Sequence, residues 1–138
     1  MFNKSTTAAF GAMIQLAREF IENERGAITA REVARKINLP SPFVAKILTI
    51  LSQHGMVLGS PGPNGGYYLA RPPRKITLLE IVACFERTDP PQRCLFGPGK
   101  CEQKSACALH HKVKSLYDHR TELLKGTTLA EFLESEAG

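Results

Sequence analysis

At 138 residues, 43% of them hydrophobic, the chain is long enough for a single domain with a buried core. It has no run of about 18 apolar residues, and its start, "MFNKSTTAAFGAMIQLAREFIENERG", shows neither a basic leader with an apolar stretch nor a small-residue cleavage site; a spanning helix is excluded and a cytoplasmic location is expected. The net charge of +5 is uneven, because residues 1–75 carry ten Lys or Arg against four Glu while residues 76–138 carry eight against nine Asp or Glu, so a polyanion partner is expected for the first half.

Phe10, Met13, Ile14, Ala17 and Ile21 recur at helical spacing and predict a first helix from about Lys4 to Asn23, stopped by Gly26. "TARE" at Thr29 to Glu32 is a capping-box pattern that opens a short second helix with Val33 and Ile37 on its inner face. A third helix follows in "SPFVAKILTILSQHG", with Ser41 as N-cap, Pro42 in the first turn and Gly55 as the stop. Val44, Ile47, Leu48 and Leu51 form its buried stripe, leaving Ser41, Ala45, Lys46, Thr49 and Gln53 on the other face. Two helices joined by so short a turn make a helix-turn-helix.

"MVLGSPGPNGGYYLARP" places short apolar pieces, Met56 to Leu58 and Tyr67 to Leu69, around a tip rich in Pro, Gly and Asn, which predicts a β-hairpin. A hairpin directly after a helix-turn-helix makes a winged helix, whose second helix enters the DNA major groove while the wing lies along the backbone. The expected DNA contacts are Ser41, Phe43, Lys46 and Thr49 on the recognition helix and Asn64, Gly65, Gly66 and Tyr67 on the wing, with Arg31 and Arg35 adding charge.

"TLLEIVACFE" is a further capped helix in which Cys84 is read as a buried structural thiol. The segment "CLFGPGKCEQKSACALHH" then collects three of the four cysteines and two of the four histidines, spaced C-x6-C-x5-C. In a reducing compartment such clustering favours metal or redox chemistry over disulfides. Gly97, Pro98 and Gly99 suit a tight loop, and Ser105 can cap a helix beginning near Cys107, which would put His110 and His111 beside that cysteine. Cys94, Cys101 and Cys107 with a histidine can ligate an iron-sulfur cluster; a closed zinc site and a thiol redox switch are the alternatives. Structural zinc sites usually use shorter cysteine spacings. Leu109, Val113, Leu116, Arg120 and Leu123 form a coiled-coil-like seam interrupted by Arg120, Gly126 ends that helix, and "TTLAEFLESEAG" forms a small tail helix.

The run "LPSPFVAKILTILSQHGMVLGSPGPNGGYYLARPPRKITLLEIV", followed by the cysteine triplet, resembles the winged-helix regulators of the IscR, NsrR and CymR type over nearly the whole chain. The "GGYYLAR" wing and the triplet at its fixed distance are its most specific parts. The resemblance implies a homodimeric bacterial transcription factor whose operator binding is modulated by an iron-sulfur cluster. It matches His110 to the histidine ligand of IscR-like members, which sets 2Fe-2S ahead of 4Fe-4S. CymR-like members lack the triplet, and NsrR-like members take a carboxylate from the N-terminal segment where this chain has "TTAAFGA". Many relatives carry an arginine where this wing begins with Pro61.

The expected architecture is therefore mainly α with a small β-hairpin wing: a winged helix-turn-helix over residues 1–75, a linking helix and cluster loop over 76–104, and a long dimerisation helix with a tail helix over 105–138. Its expected partners are a double-stranded DNA operator and a second copy of the chain, with no organic substrate. Outside the cysteine segment there is no phosphate loop, nucleophile motif or acid–base grouping to suggest an enzyme. A DNA-free interaction module of the same fold is the remaining alternative.

Overall fold

The computed structural model describes residues 1–23, 26–60, 65–88 and 109–137, with side chains through 134. Asn3 caps the first helix, α1 (Lys4–Glu22), by accepting from Thr6 N at 2.8 Å. Its buried face is made of Ala8, Ala9, Ala12, Met13, Leu16 and Ala17. The small side chains let neighbouring elements approach α1 closely, so the stripe lies over them. Phe10 and Ile14 only flank it, and Ile21, expected inside, is 60% exposed. The helix ends at Glu22, where Asn23 N bonds to Glu19 O at 2.9 Å, so Gly26 lies beyond the stop rather than forming it.

Thr29 caps α2 (Ala30–Ile37) by accepting from Glu32 N at 3.1 Å. The expected reciprocal bond is replaced, because the Glu32 carboxylate turns to Arg35 at 3.6 Å. Asn38, in the left-handed region at φ 57°, turns the chain into α3 (Ser41–Gln53). Ser41 is the first helical residue and not the cap. The cap position falls on Pro40, whose extended backbone (ψ 135°) precedes the helix and whose carbonyl accepts from Val44 N. At the other end Gly55, at φ 73°, bonds to Ser52 O while Met56 N bonds to Leu51 O at 2.9 Å, a closure that needs a glycine.

Strands β1 (Val57–Ser60) and β2 (Gly66–Leu69) pair antiparallel in the register Val57 with Leu69 and Ser60 with Gly66. Ile28, between α1 and α2, acts as a one-residue third strand: it exchanges both backbone bonds with Tyr67, at 2.8 and 3.0 Å. A Cβ on Gly66 would lie 2.7 Å from the Ile28 carbonyl, so this clasp requires glycine there.

After a single 3-10 turn (Pro73–Lys75), α4 (Leu78–Ala83) starts from a complete capping box of Thr77 and Glu80. The last elements are α5 (His110–Gly126) and α6 (Leu129–Ala137). Leu78 N to Thr127 O and Leu129 N to Ile76 O tie the start of α6 to the chain just after the wing. One continuous core joins Met13 and Leu16 of α1, Val44 to Leu51 of α3, Ile81 and Val82 of α4, Leu124 of α5 and Leu129 of α6. No described helix is long and apolar enough to cross a membrane.

Candidate nucleic-acid interface and the cysteine segment

Burial of Val44, Ile47, Leu48 and Leu51 fixes which face of α3 looks outward. Lys46, Thr49 and Gln53 are exposed there, while Ser41 and Ala45 are half-buried at one margin. The Thr49 hydroxyl donates to Ala45 O at 2.8 Å, which leaves its lone pairs and methyl facing out. Phe43 is half-buried against the core, with the Lys4 ammonium of α1 at 5.7 Å from its ring centroid. Arg31 and Arg35 are exposed on α2.

Gly65, Gly66 and Tyr67 stand beside the N-terminus of α2, and with Thr29, Ala30 and Ser60 they line an open groove between wing and helix. Gly66 and Tyr67 also hold the Ile28 clasp, so they build the wing as well as lining it. Asn64 and Pro61 lie outside the described residues. Arg71, at the end of the wing, bonds to Lys75 O and to the Glu80 carboxylate, both at 3.0 Å, and so anchors the hairpin to α4. Burial raises the Glu80 pKa but is outweighed by the Thr77 N–H and by Arg71, which hold it below the ordinary value.

Cys94, Cys101 and Cys107 lie outside the described residues, as does Ser105. The described helix begins at His110, with Leu109 as an N-cap that offers no side-chain bond, and the expected start near Cys107 lies outside the described residues. His110 is 8% exposed and meets His111 edge-to-face at 5.4 Å between ring centroids; His111 itself is exposed. Among the described residues no group of His, Cys, Asp and Glu forms a metal site. Cys84 is half-buried and its Sγ donates to Glu80 O at 3.3 Å; burial, then the Glu80 charge, pushes its thiol pKa up, which fits the inert role expected of it.

Arg120 does not simply interrupt a seam. Its side chain, 14% exposed, turns inward to Glu86 at 3.7 Å and covers the Phe2 ring at 5.2 Å. Glu86 also accepts from Asn3 N at 3.0 Å, so Glu86, before the cysteine segment, and Arg120, within α5 beyond it, both hold the residues that lead into α1. A charge placed in an otherwise apolar stripe was the only sequence signal for this cluster. The exposed residues of the stripe are Leu109, Leu116 and Leu123, seven apart along one line of α5.

The profile of a family described as Rrf2, iron-dependent transcriptional regulator, matches residues 2–135. A protein of Aquifex aeolicus (strain VF5), provisionally described as an HTH-type transcriptional regulator, is 34% identical over 127 residues, covering 91% of this chain and 88% of its own. The HTH-type transcriptional regulator IscR of Cronobacter sakazakii is 24% identical over 93% of this chain and 76% of its own. Among solved structures, T. potens IscR superposes with a TM-score of 0.78 at 24% identity (99% of this chain, 88% of that one). CymR, the global cysteine regulator of B. subtilis, superposes at 0.79 and 23% identity (98% and 97%). Both share the winged-helix fold found here.

Proposed function

The chain belongs to the Rrf2 family of transcriptional regulators, and from that premise we propose that it is a homodimeric operator-binding protein whose DNA affinity responds to an iron-sulfur cluster held by Cys94, Cys101, Cys107 and His110. The observation that carries the DNA reading is the outward face of α3, with Lys46 and Thr49 exposed, Arg31 and Arg35 alongside on α2, and a glycine-lined wing next to it. Operator contact belongs to residues 1–75, where the positive charge is concentrated. Lys46 neutralises a phosphate or reads a guanine; Ser41 and Thr49 contact base edges or phosphates; the amides of Gly65 and Gly66 and the Tyr67 side chain follow the backbone, with Asn64 at the tip. Phe43 serves this face from its margin.

Residues 105–138 supply the dimer. Leu109, Leu116 and Leu123 leave an apolar line on α5 that its own protomer does not cover, and a second copy related by a two-fold would bury it. The two recognition helices would then meet half-sites about one helical turn, roughly 34 Å, apart. Residues 76–104 link the two units. As a regulator of chromosomal DNA the protein works in the cytoplasm.

Three thiols and an imidazole fit an iron-sulfur cluster, and 2Fe-2S suits the histidine better than 4Fe-4S. When bound, such a cluster supplies ligand bonds sensitive to iron supply, oxidation or nitric oxide. The chain's own part is positional. His110 begins α5, Glu86 precedes the cysteine segment, and both α5 and Glu86 hold Phe2 and Asn3 at the entry to α1, so a change in how the segment is held alters the relation between α5 and the DNA-binding half. Repression by the DNA-bound dimer is the simplest outcome.

Anaerobic purification with quantification of iron, sulfide and zinc, on the wild type and on His110→Ala, tests the cofactor. Iron with matching sulfide, perturbed by the substitution, is expected; stoichiometric zinc without sulfide would make the triplet a structural clasp. Operator titrations of loaded and stripped protein then test sensing. Equal affinities in both states would remove the regulatory role of the site and leave a DNA-binding protein with another signal.

A further inference from the structure

The expected DNA contacts all lie on α2, α3 and the wing, yet the structure adds a cation from a different element. Lys4, the first residue of α1, is exposed and stands over the ring of Phe43 at 5.7 Å. Phe43 lies one turn before Lys46 on α3, and residues three apart on a helix are neighbours, so the two ammonium groups flank the same margin of the recognition face. At the opposite margin α3 itself carries Ser41 and Ala45, both uncharged.

Lys4 is also unusually well placed for a lysine on a first helical turn. The preceding Asn3 caps α1 through Thr6 N and Thr6 Oγ1, and its own N–H is held by Glu86 Oε2 at 3.0 Å. The backbone that carries Lys4 is thus fixed from below, while the Phe43 ring limits the ammonium from one side. A cation at the N-terminal end of a helix is disfavoured by the helix dipole, so α1 itself gains nothing from a lysine at this position. An external anion beside Phe43 would compensate that cost.

Building on the reading of the protein as an operator-binding regulator, we propose that Lys4 is a DNA-backbone contact: it neutralises a phosphate at the end of the recognition helix, and Phe43 is its platform rather than a base reader. Each protomer then grips one strand with Lys4 from α1 and Lys46 from α3. The contact positions the helix in the groove and carries no base information of its own.

The test uses the full chain and a labelled duplex selected by the wild-type protein from random-sequence DNA. Affinity is measured over a salt series for the wild type and for Lys4→Gln, Lys4→Arg, Phe43→Leu and Lys125→Gln, the last a control on the far end of α5. Loss of one phosphate contact per protomer makes the plot of log affinity against log salt shallower by about 0.9 per protomer, or about 1.8 for a dimer. Lys4→Gln is expected to do this with an unchanged melting temperature, Lys4→Arg and Lys125→Gln to keep the wild-type slope, and Phe43→Leu to lose part of it with Lys4 intact. A Lys4→Gln slope equal to that of a salt-dependent wild type would overturn the proposal alone. A wild type with no salt-dependent binding would overturn the operator reading beneath it as well.

Discussion

Helix α3 carries five leucines, isoleucines and valines in 13 residues and α5 four in 17, and the two helices use them in opposite ways. On α3 the stripe of Val44, Ile47, Leu48 and Leu51 is wholly inside, and the polar side chains face out. On α5 the buried residues are His110 and Leu124, Arg120 is turned inward, and Leu116 and Leu123 are 63% and 58% exposed. A helix whose apolar face is consumed within its own protomer is free to present polar groups to a ligand. A helix that keeps two of its three leucines outside has that burial still to come, and the proposed dimer supplies it.

The strongest way to break this contrast is Leu116→Asp. Two copies of the side chain would leave the interface, each removing about 1.5–3 kcal/mol of burial, and a charge would enter it. The dimer dissociation constant is expected to rise by at least about 100-fold in sedimentation equilibrium, and operator affinity to fall with it. Because Leu116 is exposed in the protomer, monomer secondary structure should persist. A variant that stays dimeric at the same concentration would place the interface elsewhere.

Leu48→Ala probes the other member of the pair. Leu48 is fully buried on α3, so truncation leaves a cavity and should cost about 2–5 kcal/mol in denaturant unfolding, against a near-zero protomer cost for Leu116→Ala. Equal costs at the two sites would mean that α5 is packed within the protomer as tightly as α3.

The same contrast explains what could be read from the sequence. The recognition helix was legible because periodicity, Pro42 and Gly55 all agree with its final packing; only its cap was misplaced, since Ser41 looks like a cap until Pro40 takes the position. The wing was legible from its turn residues, but the need for glycine at residue 66 arises from Ile28, almost forty residues earlier. Helix α5 was legible as a helix, whereas the inward turn of Arg120 depends on Glu86 and Phe2 being brought beneath it by the fold. The role of Lys4 was hidden for the same reason, because nothing local links it to Phe43. The cysteine triplet was the plainest chemical signal, but Cys94, Cys101 and Cys107 lie outside the described residues.

Arg120→Ala sharpens the comparison at an intermediate scale. It removes the inward hold of α5 on α1 while leaving Leu109, Leu116 and Leu123 in place. Loss of the Glu86 pair and of the contact over Phe2 should cost about 1–3 kcal/mol of protomer stability. Dimerisation should weaken less than in Leu116→Asp, and any difference in operator affinity between cofactor-loaded and stripped protein should narrow.

The smallest effect separates the charge of Glu86 from its packing. Burial alone would raise its pKa, but the Thr6 side chain, the Asn3 N–H, Arg120 and the amino terminus outweigh that and hold it below the ordinary 4.5. A carboxylate stabilised in the folded state contributes its full share above the unfolded value and loses it as pH falls through the lower folded one. Glu86→Gln keeps the shape and removes the titration. Its melting temperature should therefore lie below that of the wild type above pH 4.5, and the gap should close as the pH is lowered beneath that value. A gap that stays constant through the acid range would show that Glu86 holds α1 and α5 by shape and neutral hydrogen bonds. The ion pair would then add nothing to the joint between the DNA-binding half and the helix that leaves Leu116 and Leu123 outside.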